Sequence, residues 1–335
     1  MGLFDKFKKK TKTETEAVPL YLYSEQELDE YEAFVQKNFG QYNQVMHEIV
    51  SPDIHLDIIM VPPTDENPFY KMVTMGMGAF KMNVPEELKE YELEYAELVL
   101  YLPPDWKVNS SEERDYWPLR YMKVLGRLPV NADTWLGFGH TVHGDEERRP
   151  FADNTKFNNI LLLNACNLEL QSLELRLSSG KKINFYHMFP LYQEELDYKL
   201  ANSLDDLLEL FDDADLFPVL NIRRKNYALG RGNGCIVSNR IVKENWNIGY
   251  LYRDEPMQGV PDSGWRFLKG DEDETYMSEA GNHSICALTE LCKDDPDLKS
   301  LLDAPIGTCY IRVGEHTFIE DDGQHEIFMS RRVTM

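Results

Sequence analysis

The chain has 335 residues, enough for two domains that each bury a core, and its 42% apolar and 12% aromatic content fits ordered globular protein rather than disorder. Fifty-eight acidic against 35 basic residues give a formal charge of −23, which disfavours nucleic acid as a ligand and steers basic partners inward, although solubility alone also accounts for such a surface. Five cysteines without a CxxC pair read as reduced thiols of a cytoplasmic protein, and no apolar run reaches the roughly 18 residues of a membrane span.

Residues 1–23 open with MGLFDKFKKKTKTETE, read as a flexible basic tail without the long apolar stretch of a signal peptide. Ser24 with Glu27 forms a capping box for a helix whose apolar face is Leu28, Tyr31, Phe34, Val35 and Phe39, stopped at Gly40. Ile54, Leu56, Ile58 and Met60 alternate, and after the turn at 62–68 a second β-rich run covers 69–77. His55 and Asp57 share the opposite face of the first run and are expected to be its polar side. Glu97–Leu102 reads as a strand, and Trp117–Leu128 as a helix with Pro118 in its first turn. Strands are expected at 135–142, 160–164 and 183–189, the second central because it is wholly apolar. Ser203 caps a helix carrying Leu204, Leu207, Leu208 and Phe211 on the most acidic stretch of the chain.

Arg223–Lys225 and the glycines of 230–234 mark a boundary, giving domains at 24–220 and 228–330. The second has strands at 235–237, 248–253 and 265–268, helices at 285–293 and 298–302, and a closing hairpin around Gly314. The fold class is α+β: a mixed sheet with flanking helices, followed by a second, smaller α+β domain.

Catalytic signals are sparse. His140 and His143, near Asp145, Glu146 and Glu147, resemble a metal or acid–base cluster, but HxxH on a strand points its rings to opposite faces. Gly230–Gly234 lacks the lysine and the strand–helix setting of a phosphate loop. Cys286 and Cys292, on one expected helix, are too far round it to share a metal. Asp271–Glu274 lacks calcium-loop spacing and reads as a solvated acidic face or the rim of a protein-binding patch with Trp265, Arg266 and Tyr276. No cofactor and no metal is expected.

The segments VTMGMGAFKM (73–82), ELVLYLPPDW (97–106), WPLRYMKVLGRLP (117–129) and TWLGFGHTVHG (134–144) resemble, in order and spacing, the suppressor of fused (SUFU) domain in its bacterial form. PFADNTKFNNILLLN (150–164), INFYHMFPLYQEEL (183–196) and LDDLLELF (204–211) continue the resemblance, with His143 as a departure after the GHT core. GCIVSNRIV (234–242), GYLYRDEP (249–256), DSGWRFLKGDEDETY (262–276) and LLDAPIGTCYIR (301–312) are similar to a small bacterial immunity-type domain. The resemblance implies a non-catalytic protein-binding module, an immunity protein neutralising a basic toxin domain. The expected contacts are Tyr252, Asp254, Trp265, Arg266, Asp271, Asp273 and Tyr276, with Trp135 and His140 in the first domain. The alternatives are a peptide-binding regulator or scaffold and a histidine-dependent metal hydrolase.

Overall fold

The computed structural model describes residues 20–51, 53–166, 171–257 and 259–321. The greater part of the expected tail lies outside them, but its last residues are packed. Tyr21 donates its N–H to the Asp53 carbonyl at 2.9 Å, and the buried Tyr23 places its hydroxyl on Glu97 at 2.8 Å. The described residues divide into two compact units, those within 20–192 and 211–225, and those within 193–210 and 226–321.

Helix α1 (Glu25–Asn38) begins with the capping box that its sequence spells: Ser24 Oγ accepts from the Glu27 N–H, and the Glu27 carboxylate accepts from the Ser24 N–H. Strands β1 (Gln44–Met46), β2 (Asp57–Val61), β3 (Tyr70–Met75) and β4 (Tyr95–Leu102) follow, then α2 (Glu113–Ala132). The first unit continues with β5 (Thr141–His143), β6 (Asn159–Asn164), β7 (Glu174–Arg176) and β8 (Lys182–Leu191). They form one sheet in the order β1-β2-β3-β4-β8-β6-β5, with β7 paired to β8. Only β4 and β8 run parallel among its described pairs. β6, apolar over residues 160–163 and expected to be central, instead lies next to the edge strand, while β4 and β8 hold the centre.

Each face of this sheet has its own core. Tyr31, Val35 and Phe39 of α1 gather with Ile59, Val61, Val73, Val99 and Phe185. Trp117, Met122 and Leu125 of α2 gather with Ile58, Met60, Met72, Leu98 and Met188. Cover on both faces explains why β2 is buried at every position rather than at alternate ones.

Two expectations for this unit are corrected. Helix α2 starts at Glu113, so Pro118 sits inside it rather than in its first turn. Proline has no N–H to give the Arg114 carbonyl one turn back; Asn154 supplies the missing donor through Nδ2 at 2.8 Å. The strand expected at 135–142 is reduced to β5, because Gly139 takes a φ of 79° and closes a turn ahead of it.

In chain order, α3 (Gln193–Ala201), α4 (Leu204–Leu208), capped by Ser203 as its sequence indicates, and α5 (Asp213–Leu216) come next. The second unit then adds β9 (Gly234–Ser238), α6 (Asn239–Val242), β10 (Tyr250–Arg253), β11 (Asp262–Leu268) and α7 (Glu274–Ser278). It ends with β12 (His283–Ala287), α8 (Leu288–Asp294), β13 (Cys309–Gly314) and β14 (Thr317–Glu320). The strand order is β12-β9-β11-β10-β13-β14. The helix expected at 285–293 begins only at Leu288. His283–Ala287 is a strand, drawn into an antiparallel ladder with β9, so Cys286 and Cys292 lie on different elements. Both units are mixed sheets with flanking helices, and the fold class is α+β.

Candidate functional site: a sheet face outside the core and a histidine–aspartate cluster

Strand alternation gives the second sheet two unlike faces. One carries Cys235, Val237, Leu251, Trp265 and Phe267 and receives Ile241 of α6 and Leu288, Leu291 and Cys292 of α8, forming the unit's core. The other face adds no residue to that core. Reading across the ladder it presents Ile285, Ile236, Arg266, Tyr252 and Cys309, each opposite the next. Ile285, on edge strand β12, is 82% exposed. Ile236 and Tyr252 are half-buried, and the Tyr250 ring lies 6.1 Å from that of Tyr252.

Arg266 is fixed on this face. Its guanidinium donates two parallel hydrogen bonds to Asp262, each 2.8 Å, and both side chains are buried. Burial pushes the Asp262 carboxyl up, but the Arg266 fork and the N–H groups of Met257 and Gly264 outweigh it and hold the pKa below the usual value. Burial, with Asp254 nearby, raises the pKa of the Tyr252 phenol above its ordinary value.

The residues expected as one contact patch separate. Tyr252, half-buried, and Arg266, buried, share the face turned away from the core, with exposed Asp254 just beyond the end of β10. Trp265 does not belong with them. It is only 1% exposed, points into the core and donates its indole N–H to the Leu302 carbonyl at 3.2 Å. Neighbours on a strand face opposite ways, so Trp265 and Arg266 cannot share a surface.

Asp271, Asp273 and Tyr276 form a separate group at the end of β11. Asp271 pairs with Arg240 and with Lys269, Asp273 accepts the Tyr276 N–H as N-cap of α7, and Arg240 stacks on the Tyr276 ring with its guanidinium carbon 4.5 Å from the centroid. The acidic run is thus tied down locally, with Glu272 also accepting from the N–H groups of Lys269 and Gly270. In the first unit the half-buried rings of Trp135 and His140 meet edge-on at 4.2 Å. His140 and His143 join no group of three metal-ligating side chains among the described residues.

A different set does converge. His47 Nδ1 is 2.8 Å from Asp57 Oδ2, and His55 Nε2 is 3.2 Å from Asp57 Oδ1. Asp57 is buried while the two imidazoles reach solvent. Asp57 also accepts the Glu48 N–H at 2.9 Å, and His55 Nδ1 is 2.8 Å from Ser51 Oγ. His47 escapes a reading of the sequence because it follows a different strand. Its relation to Asp57 appears only when the β1–β2 register, Met46 opposite Ile58, is continued by one residue.

The family model for suppressor of fused protein (SUFU) matches residues 52–225, more than half of the chain. The chain belongs to the SUFU family. Behind its SUFU domain, residues 235–322 match the immunity protein Imm33 domain, and these are the residues that build the second sheet. An uncharacterized protein of Ureaplasma parvum, UU111, is 25% identical over 215 residues, 62% of this chain and 98% of that protein. A SUFU homologue from Neisseria gonorrhoeae aligns in structure at a TM-score of 0.43 and 16% identity, covering 61% of this chain and 98% of its own. Drosophila Suppressor of Fused aligns at 0.39 and 11% identity over 70% of this chain and 60% of that one. No described helix is long and apolar enough to cross a membrane.

Proposed function

We propose that the chain is a non-catalytic immunity-type protein that binds a cognate protein toxin, with the face of the Imm33 sheet turned away from its core, around exposed Ile285 and half-buried Tyr252, as its contact. The observation that carries this reading is the row Ile285, Ile236, Arg266 and Tyr252 on a face that contributes nothing to its unit's core. Tyrosine and arginine are the residue types that concentrate binding energy, and an arginine already locked by Asp262 costs little entropy when a partner packs on it. Asp254 at the rim and the charge of −23 favour a basic toxin domain, captured electrostatically and then occluded. Asp271, Asp273 and Tyr276 hold their loop in shape and contribute to the rim.

The test is a titration of the full chain against the toxin domain encoded beside its gene. Tyr252→Ala should weaken binding by about 30-fold, the scale of a 2 kcal/mol hot spot, and Ile285→Asp should weaken it as well. Unchanged affinity in both variants would move the contact elsewhere, and no binding to any neighbouring toxin domain would end the reading.

A second reading, peptide capture by strand addition, is favoured by one observation: β12 is an edge strand that exposes Ile285. A peptide that protects the amides of β12 from hydrogen exchange would support it against the first. Hydrolysis at His140 and His143 has no third ligand to recommend it among the described residues.

A further inference from the structure

We infer that His47, His55 and Asp57 form a binding site for one divalent transition-metal cation of the zinc class. The argument starts from protons. Glu48 Oε2 accepts the Ser51 hydroxyl proton at 2.9 Å, so the Ser51 oxygen is left to accept from His55 Nδ1 at 2.8 Å. This relay fixes the tautomer: His55 carries its hydrogen on Nδ1 and turns the lone pair of Nε2 toward Asp57 Oδ1, 3.2 Å away. Two electron-rich atoms facing each other are bridged by a proton or by a metal ion, and the surrounding donors favour the metal. His47 Nδ1 approaches the other carboxylate oxygen at 2.8 Å, so Asp57 meets an imidazole at each oxygen.

The dimensions suit a metal. All three ligand atoms lie within 4.8 Å of one another. Zinc bonds of about 2.0–2.1 Å to nitrogen and oxygen place tetrahedral ligands about 3.3 Å apart, so small rotations of the two imidazoles suffice. Two neutral nitrogens and a carboxylate are the donors that zinc and its neighbours in the first transition row prefer over calcium or magnesium. The chain His55–Ser51–Glu48 is an orienting hydrogen-bond chain of the kind that accompanies metal-bound histidine. It is anchored in turn, because Glu48 Oε1 pairs with Arg127 of α2 and Arg127 also reaches Asp53 at 3.2 Å. With His47 71% exposed and Asp57 only 4%, the ion has a rigid floor and a solvent-facing mouth, and its remaining positions go to water or to a ligand atom from a partner. Bound there, it fastens the end of edge strand β1 to β2 and closes the base of the segment that carries the exposed Ile49 and Val50.

The experiment uses the full chain after chelator treatment, titrated with Zn²⁺ by calorimetry and with Co²⁺ by visible absorption. One saturable equivalent is expected, with a cobalt spectrum free of thiolate charge-transfer bands. His47→Ala and His55→Ala should each weaken binding at least 10-fold, and Ser51→Ala by about 10–100-fold, as for other orienting partners. His47 is exposed, so its variant keeps the fold, which circular dichroism verifies, and the reading stands or falls without Asp57 variants. No saturable binding, a thiolate spectrum, or a His47→Ala/His55→Ala double variant that binds like the parent would each overturn the site. None of these outcomes bears on the toxin-binding reading.

Discussion

The first sheet of this protein packs an apolar core on each face and the second on one. In the first, successive residues of β2 face opposite cores: Ile58 looks toward α2 and Ile59 toward α1, and both are fully buried. In the second, successive residues of β11 part company, Trp265 entering the core and Arg266 turning to a face that the core does not use. A sheet closed on both sides spends its side chains on its own stability. One with a core on a single side keeps part of its other row within reach of solvent, and here that part is exposed Ile285 with half-buried Ile236 and Tyr252, beside a buried Arg266. Charge does not distinguish the two regions, since 19 acids against 11 bases over 228–335 leave a net of −8 and the remainder is acidic too. The difference lies in cover.

That contrast can be broken at its strongest point first. Trp265→Ala should cost about 3–5 kcal/mol in chemical denaturation, the cost of a large cavity; a loss below about 1 kcal/mol would mean that the residue is not core. Next, Ile58→Ala and Ile59→Ala should each cost about 2–5 kcal/mol, because both faces of the first sheet are sealed. A marked asymmetry between them would show that one cover is loose.

Burial in the first sheet also has a pH signature. His187, inside β8, has its pKa pushed down to about 4 by burial, partly opposed by a hydrogen bond to the Pro218 backbone. Between an unfolded value near 6.5 and this folded value the unfolded chain binds the extra proton, so stability falls as pH drops through that window. The full effect is up to about 3 kcal/mol. A His187→Gln variant should show a shallower loss of stability between about pH 6.5 and 4 in urea titrations; an unchanged slope would place the proton elsewhere. The smallest effects belong to the face outside the core. Tyr252→Ala and Ile285→Asp should each shift stability by no more than about 0.5–1 kcal/mol while impairing partner binding. A larger loss at Ile285 would reveal hidden cover.

Most of the architecture was legible because it rests on local rules. The capping box at Ser24 and Glu27, the Ser203 cap and the hairpin around Gly314 need only neighbouring residues to form. Failures came where a distant partner decides. Ile285, Leu288, Leu291 and Cys292 carry helical spacing, yet the first of them joins a strand because β9 offers a ladder. Residue type alone could not place Trp265, since tryptophan serves equally as core and as interface anchor; the alternation along β11 sends it inward and Arg266 outward. The histidine–aspartate cluster depends on strand register, which joins His47 to Asp57 although neither signals the other in sequence.

Pro118 and Asn154 carry a consequence for how such sequences change over generations. The proline strips the Arg114 carbonyl of its helical donor, and the asparagine, from a loop beyond the helix, replaces it. Replacing Asn154 while the proline is present leaves an exposed acceptor to water; replacing it after residue 118 has become alanine leaves that acceptor bonded within the helix. The order of substitution is therefore weighted. Lineages of this fold are expected to lose the proline before the asparagine, so that the two positions vary as a linked pair.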